Sequence, residues 1–186
     1  MAGAVAGEYE LFTDDALGVT LNVPPGYEAE EAAPDDEGVP VSAVRLSWPE
    51  GPYAGLEVLM TRREAAYANV VIWAGFYQRR RGASSSFEVE GEVLEEAELA
   101  AAGADDGLRS SYVIGEEEGT RRLEVLFLTS GNNLYVAEVS HPEVVENSLA
   151  AAAQEMLSTI KILPPVEVEK AEASGGRDVG IEPPSE

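Results

Sequence analysis

A single histidine, His141, is the whole imidazole complement of this 186-residue chain, which contains no cysteine. A zinc-type centre needs several nitrogen or sulfur ligands at set spacing, so no His- or Cys-based cluster can be built from one copy. A Ser–His–Asp relay would have to run through His141, and no Gly-x-Ser-x-Gly elbow accompanies it. A polar residue beside a helix start is the plainer role for it. Carboxylates are the opposite case, with 35 Asp and Glu, so closeness in sequence means little. Asp35-Asp36-Glu37 and Glu116-Glu117-Glu118 read as solvated runs without the spaced ligands of a calcium loop. Asp14-Asp15 suits a turn that ends a strand. Gly-x-x-x-x-Gly-Lys-Ser/Thr and Gly-x-Gly-x-x-Gly phosphate loops are both absent. These residue types nominate no catalytic set, no metal site and no cofactor, so an enzyme is not expected.

The residues that stand out physically lie on a helix over 64–81. At 100° per residue Tyr67, Val70, Val71, Ala74 and Tyr77 form one stripe, suited to covering a sheet. Ile72, Trp73 and Phe76 fall on the opposite side, joined by Ala65, Ala66 and Asn69. An outer face should be polar, and burying each of those large side chains would contribute about 1.5–3 kcal/mol. Something is therefore expected to cover them. The cover is either intramolecular (the loop at 28–38, the segment at 48–53 or the tail), a protein partner or second copy, or a small apolar ligand. Arg62-Arg63 before the helix and Arg79-Arg80-Arg81 at its end bracket it in positive charge. The second group also suits the negative end of a helix dipole.

The elements that must position this helix follow from periodicity. Runs at 108–114, 121–129 and 134–139 are separated by Gly115-Glu116-Glu117-Glu118-Gly119 and Ser130-Gly131-Asn132-Asn133, which predicts an antiparallel meander. The middle run puts Leu123, Val125, Phe127 and Thr129 on one face and Leu126 and Leu128 on the other, as a central strand does. A second helix is expected from a capping box at Ser140-His141-Pro142-Glu143, with Val145, Leu149, Ala152, Met156 and Ile160 as its stripe and Pro164-Pro165 as its stop. Earlier in the chain, 9–12 and 19–23 predict a hairpin that Pro24-Pro25-Gly26 ends. Strands are expected at 41–47 and 56–61, with an extended run at 84–98. Residues 28–38, with six acids and no base, read as a solvated loop, and 97–107 as a loop with a helical turn. Together these give an α+β fold: an antiparallel β-sheet with an N-terminal β-hairpin and two packing helices.

Residues 9–163 are taken as one domain, 1–8 as a flexible N-terminus and 164–186 as a disordered acidic Pro/Gly/Glu tail. A net charge of −23 and a pI near 4.2 oppose nucleic acid or an anionic membrane as direct partner. No apolar run approaches the roughly 20 residues that span a bilayer, so membrane insertion is not expected. Residues 1–7 lack a basic and an apolar signal region, which favours a cytoplasmic location, or an exported one if Met1 is not the natural start.

With Phe12-Thr13-Asp14, Gly18-Val19 and Leu21-Asn22-Val23-Pro24 at the start, the chain resembles the PsbP-like fold over about 9–163. A Tyr135-containing strand ending Ser140-His141-Pro142, and a closing helix with Ser158-Thr159-Ile160, continue the resemblance. That fold is shared by plant photosystem extrinsic subunits, a eukaryotic Ran-binding factor, small lipoproteins and adaptor or chaperone-like proteins of type VI secretion. The resemblance implies an accessory or assembly role without catalysis. Combined with the two-sided helix, it leads to an expected protein-binding face at Ile72, Trp73, Phe76, Asn69 and Arg80. The alternative is a small apolar ligand or lipid carried between that helix and the sheet.

Overall fold

A strand apolar on both faces must be covered on both, and the layers of this protein follow from that demand. The computed structural model describes residues 8–32, 41–64, 69–80, 91–116, 119–143 and 148–164. Expectations for Ala65, Ala66, Tyr67, Arg81, Glu117, Glu118, Val145, the stretches 1–7, 33–40 and 84–90, and the tail from 165 lie outside these residues.

In chain order the elements are β1 (Glu10–Asp14), β2 (Val19–Val23), β3 (Glu28–Glu31), β4 (Val41–Ser47), β5 (Glu57–Glu64), α1 (Val70–Arg80) and β6 (Glu92–Val93). They continue with α2 (Glu96–Ala102), β7 (Asp106–Glu116), β8 (Gly119–Ser130), β9 (Asn133–Pro142), α3 (Ser148–Ser158) and β10 (Lys161–Ile162). The meander forms the middle of a seven-stranded antiparallel sheet of order β3-β4-β5-β9-β8-β7-β6. Its β8–β9 turn has Gly131 at φ 56°, the left-handed conformation that glycine adopts without strain.

The two faces of β8 feed two cores. Leu123, Val125 and Phe127 pack with Leu108, Tyr112 and the inner residues of α1, Val70 and Ala74. Leu126 and Leu128 face the other way, towards Ala152, Ala153, Met156 and Leu157 of α3 and Leu21 and Val23 of the hairpin. The hairpin's loop begins at Asp14, whose Oδ1 accepts the Leu17 N–H at 2.8 Å. The hairpin forms a separate three-stranded sheet, β1-β2-β10, whose third member, β10, arrives from the far end of the described chain.

Several local expectations are revised. Residues 28–31 form a strand, β3, because the backbone pairs with β4 whatever the side chains are. A third helix, α2, replaces the end of the extended run and the start of the expected loop. It is held by a reciprocal cap in which the Glu95 N–H donates to Glu98 Oε2 at 3.0 Å, and it stops at Gly103 with φ 69°. Ser140-His141-Pro142 does not cap a helix but extends β9. Arg121 and Arg122 of β8 sit opposite Pro142 and His141, and the Glu143 N–H donates to Thr120 O at 2.8 Å. The first helix is described from Val70, and Val71, assigned to its inner stripe, is 44% exposed.

Candidate functional site

α1 begins where Asn69 can cap it. The Asn69 Oδ1 accepts the N–H groups of Val71 and Ile72 at 3.0 and 3.1 Å, which satisfies two of the unpaired amides of the first turn. The inner side is then fixed by burial of Val70, Ala74 and Gln78. Gln78 Nε2 donates to the Tyr112 hydroxyl at 2.8 Å, so the helix is tied to β7 by a polar bond inside the apolar layer. Tyr77 lies edge-on to Phe127, with ring centres 5.4 Å apart, and its hydroxyl donates to the Glu138 carboxylate of β9. These contacts set the roll of the helix about its axis.

With that roll fixed, the opposite side is turned outwards: Ile72 and Phe76 are each 57% exposed. Trp73 is half-buried at the boundary, edge-on to Phe76 with centroids 6.2 Å apart. The Arg63 guanidinium of β5 sits over the indole at 5.7 Å, and that of Arg79 over the Phe76 ring at 5.2 Å. Such stacking flattens arginines against the rings and keeps their charge at the surface.

Between this helix and the sheet lies a cleft of about 300 Å³, walled by Trp73, Phe76, Tyr77 and Arg80 of α1, Arg63 of β5, Phe127 of β8 and Val136 of β9. A smaller recess of about 50 Å³ continues below it, reaching Leu59, Thr61 and Glu138 and sharing Arg63, Tyr77, Arg80 and Val136. The walls are mainly apolar and aromatic with the side chains of Arg63 and Arg80 among them, a composition suited to binding.

Of the five residues singled out from sequence, Trp73, Phe76 and Arg80 line the cleft and Ile72 lies on the exposed face outside it. The side chain of Asn69 is engaged in capping. Arg63, Tyr77, Phe127 and Val136 were not anticipated as lining, since strands far apart in sequence supply three of them. Of the proposed intramolecular covers, the described parts of two are used elsewhere, and residues 33–38 and the tail from 165 lie outside the described residues. Trp48 is buried in the other core, its Nε1–H donating to Pro24 O at 3.1 Å, and Glu28–Glu31 is used by β3.

His141 is buried. Its Nδ1 lies 3.0 Å from Pro142 O, which can only accept, so Nδ1 donates in that bond, and Nε2 has no hydrogen-bond partner among the described residues. Ser111, Glu124, Arg122 and Glu143 form a linked polar row across β7–β9: Ser111 Oγ donates to Glu124 Oε1 at 2.9 Å, and Arg122 reaches Ser111, Glu124 and Glu143. This row is a cross-strand network of the kind that stabilises sheets. Among the described residues no group of three or more Asp, Glu or His could hold a metal ion, and no helix is long and apolar enough to cross a membrane.

No family model matches the chain, and no curated protein matches it in sequence. Solved structures are similar in fold. The cyanobacterial PsbP protein (CyanoP) of Synechocystis sp. PCC 6803 superposes with a TM-score of 0.56 at 14% identity, over 87% of this chain and 97% of that one. A protein of Bacteroides thetaiotaomicron superposes with a TM-score of 0.50 at 14% identity over 80% of this chain; the match spans only 46% of that longer protein. Element order, sheet topology and these superpositions agree: the chain has the PsbP-like α+β fold.

Proposed function

We propose that this chain is a non-catalytic accessory domain that docks a protein partner on the outer side of α1, with Ile72, Trp73 and Phe76 as anchors, Arg80 at the rim and Asn69 fixing the start of the helix. The observation that carries this is the 57% exposure of both Ile72 and Phe76 beside an aromatic-walled cleft. Clustered exposed aromatics with arginine are what interface centres are made of, and leaving them in water is unfavourable. Trp73→Asp/Phe76→Asp is the test. In pull-downs from the source cell the double variant should lose partners that the unaltered chain retains, while circular dichroism and thermal unfolding keep the profile of a folded protein. A variant that unfolds would make the face part of the core. A variant that captures the same partners would remove the proposal.

A second possibility, a small apolar ligand, is favoured by one feature: the cleft lies between α1 and the sheet and has room for a ligand group at about 300 Å³. Native mass spectrometry of freshly purified protein separates the two. A co-purifying lipid supports the carrier role, and a clean apo mass counts against it.

A further inference from the structure

We draw no further inference here: the strongest candidate, the cleft between α1 and the sheet with the exposed Ile72 and Phe76 beside it, belongs to the docking site already proposed, and nothing in the structure shows what covers it.

Discussion

Two phenylalanines wall the same cleft, and truncating each to alanine should have unequal effects. Phe127 is fully buried, with Tyr77 edge-on to its ring and Val125, Tyr112 and Ala74 in the same core. Its removal leaves a cavity under α1 and should destabilise by about 3–5 kcal/mol. Phe76 is 57% exposed, so less than half of the roughly 1.5–3 kcal/mol of full burial is at stake. Losing the stacked Arg79 adds about 0.5–1 kcal/mol, and alanine returns about 0.5 kcal/mol in helix propensity. The net effect is about 1 kcal/mol. In a chain of this size about 1 kcal/mol moves Tm by roughly 2–4 °C, so Phe76→Ala should shift it by that little and Phe127→Ala by roughly 10 °C. Urea unfolding followed by circular dichroism gives both values and checks that the slopes match. Equal losses, or a larger loss at Phe76, would mean that the roll of α1 described above is wrong.

Gly91→Ala should destabilise by about 1–3 kcal/mol in the same assay. A Cβ there would lie 2.8 Å from the Arg109 carbonyl oxygen, a backbone atom held in the β6–β7 ladder that cannot swing away. Trp48→Phe should lose about 1–3 kcal/mol from the unpaired Pro24 carbonyl alone, and a fluorescence-monitored melt reads it. Burial holds the Tyr135 phenol above its ordinary value of 10.0, the Arg62 guanidinium offsetting part of the rise, and burial does the same at Tyr9 with Tyr53 and Glu155 adding to it. A raised native pKa means that the folded state holds its proton longer than the unfolded one. The stability from these groups is therefore complete below pH 10 and lost as pH rises above it. Tm measured from pH 9 to about 11.5 should fall at the alkaline end, and less steeply in Tyr135→Phe.

What could be read from sequence was whatever hydrophobic period encodes. Leu123, Val125 and Phe127 against Leu126 and Leu128 gave a two-faced strand, and Leu149, Ala152 and Met156 gave the buried side of α3. The elements that escaped detection are those held by backbone pairing or by unusual caps. Glu28–Glu31 is exposed throughout and has no apolar alternation, so its ladder to β4 is what makes it a strand. The seven residues of α2 hide behind a Glu cap where Ser, Thr, Asp or Asn is the familiar signal. β10 is two residues long and pairs with β2 more than a hundred positions earlier, a contact that no local window contains. The cleft divides the same way. Its helical wall follows from 100° spacing, which also predicts that Ile72 and Phe76 point away from Val70 and Ala74. Arg63, Phe127 and Val136 join it only because β5, β9 and β8 are neighbours in the sheet. Val71 shows the tolerance of the method: a residue at the margin of the stripe is left exposed by a modest rotation of the helix.

β3 bounds the seven-stranded sheet on one side, and Glu28, Glu30 and Glu31 line that border with carboxylates, Glu30 reaching Arg45 at 3.4 Å. A row of like charge repels a second molecule that tries to continue the sheet, which is how natural proteins keep open strands from recruiting one another. Replacing the three glutamates by glutamine would remove that fence while leaving the strand's hydrogen-bonding groups in place. Light scattering of the triple variant should then rise above that of the unaltered chain, as a molecule kept apart by repulsion begins to stack through its most polar strand.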